Sequence, residues 1–256
     1  MPLELVMIPC LADNFAYLIH SPDSGETALI DAPEAGPILK AIESRGWHLG
    51  QIILTHHHAD HIQDAEKTRA ATGAKILGAA KDRHRLPSLD QALEDGDRIR
   101  VGGEGGIVIG VPGHTTGHIA LYFPDSALLF TADSLMAAGC GRLFEGSAEQ
   151  MWQSLQKLAA LPAETRVCSG HEYLDMNLSF ARQMEPDSKA IPARIAKVAA
   201  LRAAGQPVMP WRLDEELETN PFLRADLPAL RRATGLLDAP ASAVFAEIRR
   251  RKDALS

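Results

Sequence analysis

The spacing of apolar residues changes character along this chain. The first two thirds alternate short apolar runs with polar or glycine punctuation, the mark of strands joined by turns. Glu4–Ile8, Ala16–His20 and Thr27–Asp31 read as strands around the turn-prone Ala12-Asp13-Asn14 and Ser24-Gly25. Pro33–Arg45 spaces Ile38, Leu39 and Ile42 for a helix that stops at Gly46. Gln51–Leu54 is a short buried strand, a polar run follows it, and Ile62–Thr72 reads as a helix ending at Gly73. Further strands are predicted at Lys75–Leu77, Arg98–Val101, Ile107–Val111, Ile119–Phe123 and Ala127–Thr131. Ser147 and Gln150 form a capping-box pattern before a helix over Ala148–Ala160, and Thr165–Cys168 is one more strand. From Tyr173 the pattern is nearly all helical, with Ile191, Ile195 and Val198 on one face and last helices at Leu227–Ala233 and Ala241–Lys252. Pro207–Pro210 and Asn220-Pro221 interrupt it. The expectation is an α/β domain over residues 1–171 and a small all-helical domain over 172–256.

Composition narrows this. With 46% apolar and 23% charged residues the chain is ordinary globular protein. No run approaches the roughly 18 apolar residues of a membrane span. The start lacks a basic, then apolar, leader. Cys10, Cys140 and Cys168 are widely spaced, which argues against a disulfide framework and a thiolate metal site. A soluble, cytoplasmic protein with no membrane partner is expected. Net charge is −7, the wrong sign for nucleic acid. The imbalance lies in the first part: 13 basic against 21 acidic residues up to His171, and 13 against 12 beyond.

The chemistry concentrates in Thr55-His56-His57-His58-Ala59-Asp60-His61, between a predicted strand and a predicted helix. Neutral imidazole and carboxylate are ligands for zinc and similar divalent ions. His56 and His58, two apart, can point the same way toward one ion, and Asp60 and His61 are placed to serve another. His57 would then point away. His114, His118, Asp133 and His171 also lie just beyond strands, where function often gathers. A solvated histidine-rich loop is the plainer alternative, but it leaves these other residues unexplained.

The segment T-H-H-H-A-D-H resembles the signature of the metallo-β-lactamase superfamily. Leu11–Ile19, Pro112–His118, Gly139–Gly146, Gly170–Tyr173, Thr219–Phe222 and Arg249–Asp253 resemble the hydroxyacylglutathione hydrolase (glyoxalase II) family within it. The resemblance implies an αββα sandwich followed by the helical domain. It implies two divalent metal ions per chain, zinc first, with iron or manganese possible. One ion takes His56, His58 and His114; the other takes Asp60, His61 and His171; Asp133 bridges. It implies hydrolysis of S-(2-hydroxyacyl)glutathione, chiefly S-D-lactoylglutathione, to glutathione and D-lactate, the second step of methylglyoxal detoxification. The nucleophile would be a metal-bridging hydroxide, with Asp60 and Asp133 catalytic. Arg142, Phe144, Tyr173, Arg249 and Lys252 match the positions of the family's substrate contacts. Phe144 departs from a frequent Tyr, Arg142 from an occasional Lys, and Ala132 and Ser134 from Gly and Thr beside Asp133.

The other candidates take plainer roles. His57 and His118 are expected to support the site, Cys140 to be structural, and Arg250 and Arg251 to be surface charge. The chain is expected to act as a monomer. Rival readings are a glutathione persulfide dioxygenase with a single iron, a nuclease on the same fold, and a non-catalytic metal-binding protein. The full ligand set argues against the first and last, and the acidic charge against the nuclease.

Overall fold

The computed structural model describes residues 1–255. They divide into two compact units, Met1–Gly110 with Thr116–Ala132, and Val111–Thr115 with the described residues from Asp133 onward.

The first unit carries β1 (Glu4–Cys10), β2 (Asn14–His20), β3 (Glu26–Ile30), α1 (Ala35–Glu43), β4 (His48–Leu54), α2 (Ala59–Ile62), α3 (Ala65–Thr72), β5 (Lys75–Ala79), β6 (Gln91–Leu93), β7 (Arg98–Val101), β8 (Glu104–Gly110), β9 (Ile119–Phe123) and β10 (Leu128–Ala132). One sheet runs in the order β1 to β6. Its β1–β2–β3 edge is antiparallel, whereas β3, β4, β5 and β6 are parallel. The parallel strands carry near-continuous apolar runs because both faces are covered. Leu29, Ile52 and Leu54 belong to a core that also takes in Ile38 of α1 and Ala65 of α3. The other strands of this unit, β7, β8, β9 and β10, form antiparallel hairpins. Phe130 of β10 meets Tyr17 of β2 edge-on at 5.5 Å and Phe123 at 6.1 Å, so aromatic rings join the two sheets.

Two departures from the sequence reading have local causes. The helix expected over Ile62–Thr72 begins later, at Ala65 of α3, and a separate short helix, α2, precedes it. Asp64, between them, accepts the Ala35 N–H on Oδ2 at 2.7 Å and donates its own N–H to the Ala32 carbonyl at 3.1 Å. These bonds take the chain out of helical register. Strand β8 begins three residues earlier than expected, through Gly105 and Gly106. A side chain at Gly106 would put its Cβ 2.8 Å from the Phe123 ring, so glycine is what the packing admits.

The second unit holds a small hairpin, β11 (Leu135–Met136) with β12 (Gly139–Cys140), then α4 (Ala148–Ala159), β13 (Arg166–Ser169), α5 (Leu174–Met184), α6 (Ala190–Ala203), β14 (Trp211–Arg212), α7 (Leu213–Thr219), α8 (Pro228–Thr234) and α9 (Ala241–Asp253). The capping box at Ser147 is formed in both directions. Phe222 stacks with Phe180 at 6.1 Å and meets Phe245 of α9 at 5.7 Å, which ties α5 and α9 around the 3₁₀ turn Pro221–Leu223. A buried ion pair between Arg194 of α6 and Glu216 of α7 completes this core. β11, β12 and β14 are two residues each, too short to leave an alternation that sequence could show. Among the described residues no helix is long and apolar enough to cross a membrane.

Candidate metal centre and substrate cavity

The predicted ligands fall on both units. On the first, β3 and β4 are parallel, so their C-terminal ends lie side by side and bring Asp31 to Thr55. Asp31 accepts the Thr55 N–H on Oδ1 and the Thr55 hydroxyl on Oδ2, both at 2.9 Å. It also takes His61 Nδ1 on Oδ2 at 2.8 Å. The Thr55 hydroxyl has a single proton, and Asp31 takes it. The 3.0 Å contact of that oxygen with His56 Nδ1 is therefore donated by the imidazole. His56 and His61 thus carry protons on Nδ1 and present Nε2 as the ligating nitrogen, the tautomer that a metal-binding histidine needs. The ligand atoms of His56 and His58 lie within 4.8 Å of each other. Asp60 and His61 stand in the first turn of α2, with Asp60 Oδ2 3.8 Å from His61 Nε2. Asn14 donates to Asp60 Oδ2 and to its carbonyl, both at 3.0 Å, which fixes the carboxylate.

His57 goes elsewhere. Its Nδ1 lies 3.2 Å from Oδ2 of the buried Asp82, which also pairs with Arg85. Gly117 passes so close to Asp82 that a Cβ there would sit 2.2 Å from Oδ1. His118 stacks on His56 at 4.6 Å and contacts the Ile119 carbonyl with Nδ1 at 3.1 Å.

On the second unit His114, Asp133 and His171 converge. Asp133 Oδ2 lies 3.4 Å from His114 Nε2 and 3.5 Å from His171 Nε2. His114 Nδ1 is 2.8 Å from the Arg142 carbonyl, which can only accept, so this ring also presents Nε2. His171 Nδ1 meets the Tyr173 hydroxyl at 3.2 Å, and the two rings stack at 5.2 Å. Gly141 is obligatory here: a Cβ would lie 2.1 Å from the Asp133 carbonyl oxygen and 2.8 Å from His114 Nδ1.

His114 and Asp133 open onto a cavity of about 340 Å³ in this unit. Arg142, Phe144, Tyr173, Arg249 and Lys252 all line it, together with His114 and Asp133. Arg249 and Lys252, on α9, are buried, not surface charge. Arg249 donates Nη1 to the Cys140 carbonyl at 2.9 Å and lies 5.0 Å over the Phe222 ring. Lys252 donates to the Met176 carbonyl at 3.2 Å and lies 5.4 Å over Phe180. Burial first, and the neighbouring Arg249 charge second, push the Lys252 ammonium down to about 8. Cys140 is buried and its thiol is pushed up to about 11, so it is no nucleophile. Phe144 is 63% exposed and meets the His114 ring at 5.3 Å.

Sequence reasoning missed the supports. Ala138, at φ +52, turns the β11–β12 hairpin and gives its N–H to Glu216 Oε2 at 2.8 Å. Asn220 holds the Gly139 carbonyl at 2.9 Å, and Asn177 holds the Ala137 carbonyl at 2.9 Å. Asp31 had one legible signal, a carboxylate closing a buried strand. Asn14, Asp82, Asn177 and Glu216 had none, since the site residues they hold are 25 to 78 residues away.

Comparison with known proteins bears on this site. Residues 13–171 match the family described as the metallo-β-lactamase superfamily, and residues 172–255 match that described as hydroxyacylglutathione hydrolase C-terminus. A hydroxyacylglutathione hydrolase of Cereibacter sphaeroides is 61% identical over 253 residues, covering 99% of both chains. The solved structure of BLEG-1 B3 metallo-β-lactamase matches 86% of this chain and 99% of its own, with a TM-score of 0.68 at 21% identity. TTHA1623, solved in a di-iron-bound form, matches 65% of this chain and 92% of its own, with a TM-score of 0.56 at 28% identity. This is the metallo-β-lactamase fold, with a helical C-terminal segment, and its histidine and aspartate clusters are suited to divalent metals.

Two expectations follow. Replacing Asp31 with Asn leaves one acceptor oxygen for three donors, the Thr55 N–H, the Thr55 hydroxyl and His61 Nδ1, and removes the negative charge. Zinc affinity, measured by competition with a chromophoric chelator, should fall by roughly 10- to 100-fold. Unchanged affinity would show that His61 needs no such support. The second concerns pH. Lys252 binds its proton more weakly folded, at about 8, than the ordinary 10.5 of an unfolded chain. Between those values the unfolded state holds more protons, so this group's contribution to stability rises with pH across that window. Urea midpoints of the wild type should gain on those of Lys252→Met between pH 8 and pH 10.5, and parallel midpoints would refute the depression.

Proposed function

Since the chain belongs to the hydroxyacylglutathione hydrolase family of the metallo-β-lactamase superfamily, we propose that it hydrolyses S-(2-hydroxyacyl)glutathione thioesters. S-D-lactoylglutathione is the chief substrate, and glutathione and D-lactate are the products. The observation that carries this reading lies on the second unit: a buried carboxylate between two imidazoles, beside a cavity with three cationic side chains. Glutathione brings two carboxylates, which Arg142, Arg249 and Lys252 suit.

The metal assignment is part of the proposal. The family pattern gives His56, His58 and His114 to one ion, Asp60, His61 and His171 to a second, and Asp133 to both. The donor chemistry on each unit supports it, because His56, His61 and His114 all present Nε2 with Nδ1 committed elsewhere. Two ions per chain accord with the di-iron form of TTHA1623, and zinc, iron and manganese all suit nitrogen and oxygen donors. We take zinc as the resident metal. When bound, such ions supply a nucleophile from water near neutral pH and polarise a carbonyl.

The chain's own residues do the rest. Asn14 holds Asp60 so that its carboxylate can orient the attacking water. Tyr173 holds the His171 ring. Lys252 stays charged below about pH 8 and then attracts a carboxylate. The exposed Phe144 gives an apolar contact where a phenol would have added a hydroxyl. No protein nucleophile is needed, consistent with the buried thiol of Cys140. Residues 172–256 serve as the substrate-binding domain, and the protein works as a cytoplasmic monomer. The family match favours this hydrolase over the single-iron dioxygenase.

The test is hydrolysis of S-D-lactoylglutathione followed at 240 nm, a conventional thioester wavelength, before and after chelation. The protein should be active as isolated, inactive once stripped, and restored by a divalent ion. Full activity in verified metal-free protein would sink the mechanism, and oxygen uptake with glutathione persulfide would favour the dioxygenase.

A further inference from the structure

One carboxylate faces the cationic wall of the cavity without a role so far. Asp253 Oδ1 lies 2.8 Å from Arg249 Nη2 and 3.6 Å from Arg142 Nε. Asp253 and Arg142 are both nearly half exposed, whereas Arg249 is buried.

The position is poor for an acid. Asp253 is the last residue of α9, where the helix end carries partial negative charge and favours cations. Arg250, Arg251 and Lys252 in the same turn obey that preference. The order is also reversed, since an acid helps most when it precedes its basic partner by four residues, and here Arg249 comes first. Helix stability therefore does not account for an aspartate at this point. The two guanidinium groups do.

Arg249 is held at Nη1 and across its face. Its Nη1 is committed to the Cys140 carbonyl, and its plane rests on Phe222. The Nη2 edge, held by a half-exposed carboxylate, is the edge that an incoming carboxylate can take over. Resting on the hydrolase reading above, we propose that Asp253 is a resident counter-carboxylate for Arg249 and Arg142. It pairs with them when no ligand is bound and yields that edge to a carboxylate of the glutathione moiety. The exchange keeps the buried guanidinium paired before and after binding, and it weakens the grip on both substrate and product. Asp253 is thus a positioning residue that tunes affinity through two arginines.

The experiment measures glutathione affinity by calorimetry on the metal-loaded protein, at low and high salt, for wild type, Asp253→Asn and Asp253→Glu. Removing the competing charge should tighten glutathione binding at low salt by roughly two- to fivefold, the scale of a half-exposed ion pair. The gain should shrink at high salt. KM for the thioester should fall by a similar factor, more than any change in kcat. Asp253→Glu, which keeps the charge, should stay near wild type. Unchanged or weaker binding in Asp253→Asn overturns the proposal, because a purely structural aspartate would let Arg249 drift when lost. Should Asp253→Asn not fold, Asp253→Ala takes its place; failure of both to fold also overturns it, since an exchangeable counter-ion is not needed for folding. Wild type that hydrolyses the thioester while the variants show no tightening overturns this inference alone. Wild type that neither hydrolyses it nor binds glutathione overturns the hydrolase reading and this inference with it.

Discussion

A buried carboxylate set between two imidazole nitrogens is the interaction around which the second unit is arranged. Asp133 is 6% exposed, and its Oδ2 lies within 3.5 Å of both His114 and His171. An ionised carboxylate at that depth is costly unless cationic charge compensates it. A divalent ion supplies such charge. The commitment of His114 Nδ1 to a carbonyl is therefore more than a detail of packing: it makes Nε2 an acceptor, the form in which that ring can share a divalent ion with the carboxylate.

Holding such a group still demands rigid supports. The hairpin after Asp133 has its turn tied by Glu216, Asn177 and Asn220, and Glu216 is itself paired with the buried Arg194. Gly141 lets the backbone close in on Asp133 and His114 where any side chain would collide. On the first unit the same job falls to Asp31, which gathers Thr55 and His61 at the ends of two parallel strands. His61, His114 and Asp60 are thus oriented by neighbours, which is how a metal site acquires its geometry.

The sequence revealed the candidate ligands and concealed their supports. His56, His58, Asp60 and His61 are legible because they crowd into one short segment after a buried strand. His114, Asp133 and His171 are legible as polar residues closing strands. Strands of five to seven residues with apolar runs were also readable, within a few residues at their ends. Asp31–His61, Asp82–His57 and Glu216–Ala138 were not, because each is a single long-range contact that leaves no periodicity. The break between α2 and α3 was hidden for the same reason: Asp64 bonds to the start of α1, 29 residues back. Arg249 and Lys252 entered only through the family resemblance, and packing against Phe222 and Phe180 is what shows them buried. Asp253 could be seen as an acid at the wrong end of a helix, but its two arginine partners could not.

The most direct measurement is native mass spectrometry of the zinc-loaded chain and of Asp133→Ala, each first shown to be folded. The account predicts two ions per wild-type chain and loss of at least one in the variant. A wild-type chain that holds fewer than two, or a variant that keeps both, would contradict a binuclear site bridged by Asp133.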